Sequence, residues 1–416
     1  MIELIPFSAP TYWLNYSVHN AVSAGAQLGD IERAIAPYLA HVAANRERFE
    51  HAKRVAPLRF DGTTTTLCPP DLAADMIAAV PIWCDGWIAE GERLAALADR
   101  FAADGHDLTA AGIYHRASVL ISYAEWSMLR GPRKRETFDR GRELCMTAMR
   151  LGQARFEEVT IPYGEHTLEA MFWPAGDGPH PTAVCFNGLH SSMEWFWQIG
   201  LVDHLVRRGI SVLVFDCPGS GSARFHQGLH MEPATERYAT AAVDYVVSRP
   251  DVDASRLASI GCSFGGYRTV RAAAHEPRFK MCLAWGALYE IAPPPAPVDG
   301  EPGGVGPAAM NGLDLDTIMW FMGADSIEEL IERRDQFSLA GHLDGLRCPL
   351  VVFHGAADMQ VPVEQARRVV AEAVNAASTE LHVYTAGDGG EQHCHLDNPA
   401  TALGHMTDRV AALLDT

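Results

Sequence analysis

The chain has 416 residues, 48% of them apolar, with 33 basic against 52 acidic side chains and a net charge of −19. That length exceeds one typical domain and supplies a large core, so two parts are expected. The acidic balance argues against a nucleic-acid or anionic-membrane surface and points to a protein acting on small molecules.

Residues 1–155 read as a helical N-terminal cap domain. The stretch Gly91 to Ala103 places Leu94, Leu97 and Phe101 on one face. Asp107 is positioned to cap a following helix through Ile113, Ala117, Leu120, Ala124 and Met128, with Gly131-Pro132 as its stop signal. Phe138, Cys145 and Met149 continue the period in a third helix. Aromatics are dense in this part, at Tyr12, Trp13, Tyr16, Trp83, Trp87, Tyr114, Tyr123 and Trp126. Most are expected to pack helices together, and a few to line a pocket.

From about Phe156 the pattern changes, and 156–416 reads as a catalytic domain. Glu158 to Pro162 and Leu168 to Trp173, joined through Tyr163-Gly164-Glu165, predict an antiparallel hairpin. Six more β-type runs follow, at Thr182–Phe186, Val212–Phe215, Leu257–Cys262, Met281–Trp285, Leu350–Phe353 and Leu381–Tyr384. Helical segments near Ile199–Arg208, Pro233–Ser248, Arg268–His275 and Val363–Ala376 alternate with them. Runs that are almost continuously apolar suit strands covered by helices on both faces, so the fold class is α/β with an eight-stranded, mostly parallel sheet. One excursion breaks the alternation at about 292–340. Ala292 to Gly312 is rich in proline and glycine, and Leu313 to Ala340 reads as short helices carrying Met319, Trp320, Phe321 and Met322. A lid-like insertion is expected there.

The chemistry centres on LASIGCSFGGY, residues 257–267. An apolar run enters Gly261-x-Ser263-x-Gly265-Gly266 and a helical segment leaves it, the pattern of a nucleophile elbow. Small residues are needed on both sides of the serine because the strand-to-helix turn is tight. The turn lifts Ser263 Oγ clear of the sheet and lets the Phe264 amide face a developing oxyanion. A serine nucleophile needs a base, and the base an orienting carboxylate. Asp358 lies in HGAADMQVP after the seventh run, and GDGGEQHCHLDNP after the eighth brings His393 and His395. The order Ser263, Asp358, His393 is the one that this type of site requires. His395 stays open as the alternative base. The His-Cys-His cluster also allows a metal, although no second ligand cluster is visible and none is expected.

Asn187-Gly188-Leu189-His190, after the third run, is placed to supply the second oxyanion amide, from Leu189. His190 and Trp320 are candidate substrate contacts. Asp216, in DCPGSGS, is expected to be structural. The nine cysteines are scattered, with Cys185, Cys262 and Cys282 inside apolar runs, so buried thiols are expected rather than disulfides or zinc.

The motifs NGLHSS, DCPGSGS, GCSFGGY, HGAADMQVP and EQHCHLDN together resemble those of the α/β-hydrolase superfamily, over about residue 156 to the end. With the helical first third and the His-Cys loop, the chain is similar to the group containing 2,6-dihydroxypseudooxynicotine hydrolase and fungal polyketide-shortening hydrolases. That resemblance implies hydrolysis of a C–C bond next to a ketone by a Ser263-Asp358-His393 triad under a helical cap. It departs from the group at His190, where the nicotine enzyme has an acidic residue. The expectation is a cytoplasmic, cofactor-free hydrolase of a small molecule, able to form a homodimer. MIELIPFSAPTYW lacks the basic segment and long apolar run of a leader, and no run of about 18 apolar residues occurs.

Overall fold

The eight apolar runs form the eight strands of one sheet in the computed structural model, which describes residues 11–47, 70–291, 312–358 and 360–415. They are β1 Glu157–Tyr163, β2 His166–Trp173, β3 His180–Phe186, β4 Ser211–Phe215, β5 Val252–Cys262, β6 Phe279–Trp285, β7 Leu350–Gly355 and β8 Thr379–Tyr384. The order is β1-β2-β4-β3-β5-β6-β7-β8. β1/β2 and β2/β4 are antiparallel, and every pairing from β4/β3 to β7/β8 is parallel. Every residue of β4 and of β7 is buried, as strands covered on both faces require.

Parallel pairing sends the C-terminal ends of β3, β5, β6, β7 and β8 to one edge of the sheet, where ligands of open α/β sheets bind. Ser263, Asp358, His393, His395, Leu189 and His190 lie on the segments that follow β3, β5, β7 and β8, while Asp216 follows β4 and Trp320 lies on the helix Gly312–Met322. Two helices differ from expectation. Ile199–Arg208 is helical only over Leu201–Val206, which starts behind Gly200 at φ 85°, and a separate helix, Glu194–Gln198, precedes it. The helix begun at Val363 ends at Glu372. A helix at Pro399–Leu414, with proline in its first turn, closes the chain and was not foreseen.

Two compact units are distinguished, one comprising the chain up to Ala154 together with a separate segment that ends at Ile318, the other comprising Arg155–Ile291 and Met319–Thr416. In the first, the helices are Thr11–Ser23, Leu28–Ala44, Pro70–Ala103, Asp107–Trp126 and Pro132–Leu151. The predicted Gly91 helix is the end of a much longer one that contains Pro81. Its buried face is Leu94, Ala95 and Ala98; Leu97 and Phe101 are only half-buried. Asp107 opens its helix, and the capping position belongs to His106. Gly131-Pro132 starts the following helix instead of stopping the preceding one, with Gly131 at φ 153° and Pro132 in the first turn, where a missing N–H costs nothing.

Six of the described aromatics of this unit, Tyr16, Tyr38, Trp83, Trp87, Tyr123 and Trp126, pack on one another. Trp83 lies 5.4 Å from Tyr38 and 5.1 Å from Trp87 between ring centroids, and Tyr123 lies 5.5 Å from Trp126. Inside the same unit Lys134, 1% exposed, is paired with Glu125 at 2.7 Å. The side chains of Tyr12 and Trp13 and the stretch 292–311 lie outside the described residues. The helices Gly312–Met322 and Ile327–Arg334 follow that stretch, the second capped by Ser326 Oγ, which accepts from Glu329 N at 3.1 Å.

Candidate active site

β5 hands the chain to the helix Phe264–His275 through a single residue, Ser263, at φ 59° and ψ −121°. A left-handed φ is uncommon for a serine and is held here by neighbours. Ser263 N donates to Trp285 O at 2.8 Å, and Ser263 O accepts from Gly266 N at 2.6 Å. The motif glycines are explained by contact distances. A Cβ on Gly261 would stand 1.9 Å from Gly265 O, and one on Gly265 would stand 2.1 Å from Phe186 O. The serine stays partly exposed at the sheet edge.

The structure brings His393, not His395, to the serine. His393 Nε2 lies 2.7 Å from Ser263 Oγ, and His393 Nδ1 lies 2.7 Å from Asp358 Oδ2. With Nδ1 donating to the carboxylate, Nε2 is left to accept the serine proton. Asp358 Oδ1 accepts from Gln360 N at 2.9 Å and Val361 N at 2.8 Å, which fixes the carboxylate on its loop. His354 stands behind it, with Nε2 2.7 Å from Val361 O and 3.5 Å from Asp358 Oδ2. Burial by itself would lower the His393 pKa, but the Asp358 charge and hydrogen bond raise it well above the usual value. Burial likewise works to raise that of Asp358, and the His393 partnership holds it below the ordinary carboxylate range. The pair therefore favours the imidazolium that forms when the serine gives up its proton.

His395 is a core residue, 0% exposed, with Nδ1 accepting from Trp285 Nε1–H at 2.8 Å. Burial pushes its pKa down to about 3, helped by repulsion from His354. Between the two histidines Cys394 is left-handed at φ 51°, and its Sγ lies 3.6 Å from Trp285 O. His395 follows at φ 57°, and the two rings end on different partners, Ser263 and Trp285. Among the described residues no group of three or more His, Cys, Asp or Glu could hold a metal.

Gly188 closes on Ser263, since a Cβ there would lie 3.4 Å from Ser263 Cβ. The adjoining Leu189 supplies one amide of the loop. Phe264, as first residue of its helix, has an N–H without an intrahelical acceptor. Asp216, fully buried, anchors the loop: Oδ1 accepts from Met193 N at 2.8 Å and Asn187 Nδ2 at 3.2 Å, and Oδ2 from Ser222 N at 2.7 Å. Sequence reasoning missed Arg268, whose guanidinium donates to Asn187 O at 2.8 Å and Pro218 O at 2.9 Å. An arginine inside a segment that is buried on all sides was the available signal.

His190 and Trp320 are joined through Phe321. The His190 ring lies 5.3 Å from that of Phe321, which lies 5.3 Å from that of Trp320. Trp320 is half-buried, with Phe225 at 5.1 Å and the Arg224 guanidinium 4.5 Å from its ring centroid.

Comparison with known proteins agrees with this fold. The prolyl oligopeptidase family (peptidase S9) matches residues 197–291. The chain is 25% identical over 331 residues to 2,6-dihydropseudooxynicotine hydrolase of Paenarthrobacter nicotinovorans, covering 75% of this chain and 79% of that protein. It is also 25% identical over 411 residues to hydrolase LUC6 of a Fusarium species, covering 88% and 95%. The crystal structure of the 2,6-dihydroxy-pseudo-oxynicotine hydrolase superposes with a TM-score of 0.70 over 95% of both chains, at 22% identity. The chain is a hydrolase with the α/β-hydrolase fold.

Proposed function

We propose that this hydrolase works through Ser263, with His393 as base and Asp358 as its orienting carboxylate, and that it cleaves an acyl bond, first of all a C–C bond next to a ketone. The observation that carries the reading is the unbroken relay from Ser263 Oγ to His393 to Asp358, each link 2.7 Å. Ser263 Oγ attacks the carbonyl carbon while His393 Nε2 takes its proton, and the amides of Leu189 and Phe264 receive the oxyanion. Collapse breaks the bond to the leaving group, which takes the proton from His393. Water then attacks the acyl-enzyme with His393 again as base, releasing a carboxylic acid and restoring Ser263.

The C–C preference rests on the resemblance to the pseudooxynicotine hydrolase group and on His190. A carbon leaving group must depart as an enolate, and a second hydrogen-bond donor on the oxyanion loop would stabilise it; an alkoxide needs none. His190 and Trp320 are assigned to the substrate on this basis. The substrate is a small, partly aromatic or polyketide-like ketone, handled without a cofactor by a cytoplasmic enzyme. Among the described residues no helix is long and apolar enough to cross a membrane.

The test is mass-spectrometric trapping of the acyl-enzyme on Ser263 from a panel of β-diketones, esters, lactones and thioesters, repeated with His190→Ala. Diketone cleavage should slow by about 2 to 4 kcal/mol in the variant, the scale of one preorganised donor, with nitrophenyl acetate affected far less. Rapid ester, lactone or thioester turnover with no diketone cleavage by the wild type would replace the C–C reading. Acyl transfer to an added alcohol in preference to water would make the chain an acyltransferase.

A further inference from the structure

The helix that follows the nucleophile carries a buried charge that the reaction described above does not use. Arg268 is 1% exposed, and an ionised group in the interior is costly unless partners meet its donors; here Nη1 and Nη2 find acceptors and Nε has none among the described residues. Its described partners are all neutral: Asn187 O at 2.8 Å, Asn187 Oδ1 at 3.0 Å, Ser220 Oγ at 3.0 Å and Pro218 O at 2.9 Å. The Asn187 side chain that accepts from it also donates to Asp216 Oδ1 at 3.2 Å.

The bond to Ser220 leads toward the reacting atoms. Ser220 is fully buried, and its hydroxyl, receiving from Arg268 Nη1, donates onward to Gly188 O at 3.3 Å. That carbonyl belongs to the same peptide group as Leu189 N–H. A donor on the carbonyl of a planar peptide fixes the direction of its N–H, and it also polarises the N–H, because linked hydrogen bonds strengthen one another. The guanidinium thus stands at the head of a chain, Arg268 to Ser220 to the Gly188–Leu189 peptide, whose last member is an oxyanion donor. Its bond to Asn187 O meanwhile ties the elbow helix, which carries Phe264 N–H, to the oxyanion loop.

We infer that Arg268 and Ser220 are positioning residues that aim and polarise the Leu189 amide toward the developing oxyanion. This rests on the reading of Ser263 as the nucleophile, and the experiment separates the two. A fluorophosphonate probe forms an Oγ–P bond at Ser263 as the P–F bond breaks, the proton passing to His393 and fluoride leaving, with negative charge building on the phosphoryl oxygen. Its kinact, KI and final stoichiometry are read by intact-protein mass.

Ser220→Ala should lower kinact about 5- to 20-fold and Arg268→Met about 100-fold, below or at the loss seen when a whole oxyanion donor is removed. KI and labelling stoichiometry should stay within threefold of wild type, whereas general damage to the fold would reduce the labelled fraction. The double variant should be no more than twofold slower than Arg268→Met, because both changes cut one chain. Wild type that is not labelled on Ser263 would remove the underlying reading. Labelled wild type with Ser220→Ala within threefold in kinact, or single effects that multiply in the double variant, would overturn the inference. If Arg268→Met fails to fold, Ser220→Ala and Arg268→Lys decide by the same threefold limit.

Discussion

His395→Phe is expected to destabilise the protein at neutral pH and stabilise it in acid. The substitution keeps a flat ring in the buried slot and removes both nitrogens. At pH 7 the loss is the orphaned Trp285 indole N–H, which now donates to His395 Nδ1 at 2.8 Å; a buried donor left unmet costs about 1 to 3 kcal/mol. Against this stands proton linkage. His395 titrates at about 3 in the fold and near 6.5 in the unfolded chain. A depressed histidine pKa means that the unfolded state binds the extra proton, so wild-type stability falls as pH drops below the unfolded value and levels off at the folded one. The fall is about 1.4 kcal/mol per pH unit, roughly 2 kcal/mol by pH 5 and approaching 5 kcal/mol near pH 3. The variant lacks this term, and groups common to both proteins cancel in the difference. The two stability curves should therefore cross between about pH 6 and pH 4. Urea unfolding at half-unit intervals from pH 7.5 to 4 measures the difference directly. A gap between the proteins that stays constant with pH would show that His395 is not held neutral by burial.

Ser263→Ala should lose several orders of magnitude in kcat with the melting temperature little changed, His393→Ala should match it, and His395→Ala should lose much less at pH 7; single-turnover assays rank the three. The kcat/KM profile should rise with pH through an inflection above about 6.5, because His393 must be neutral to accept the serine proton and Asp358 raises its pKa. Asp358→Asn should move that inflection downward while lowering kcat about 10⁴-fold, and an inflection in the wild type well below 6 would contradict the electrostatics. Gly265→Ala places a Cβ 2.1 Å from Phe186 O, so differential scanning fluorimetry should show a loss of about 6 to 12 °C, the equivalent of roughly 3 kcal/mol of overpacking.

The elbow was legible because its chemistry and its sterics both act within a few residues. A Cβ at Gly261 or Gly265 would stand about 2 Å from a backbone oxygen, so no other residue type fits. Strand count and order of Ser263, Asp358 and His393 followed from local apolar runs and from which loop follows which strand. What was hidden depends on chain segments that meet only in the fold. Trp285 and His395 are separated by 110 positions, Arg268 and Asn187 by 81, and Arg268 and Ser220 by 48. The choice between His393 and His395 turned on the left-handed backbone of Cys394, for which a cysteine gives no signal. Pro81 and Pro132 show the limits of punctuation: one lies inside a helix and the other opens one.

The φ of 59° at Ser263 sets this residue against the thermodynamics of its own chain. A non-glycine residue held there carries about 1 to 3 kcal/mol of local strain, which Ser263→Gly would release. Natural variation filtered for folding alone would drift toward glycine at this position. If Ser263 is the nucleophile, a library selected only for heat resistance should return inactive clones with this residue replaced.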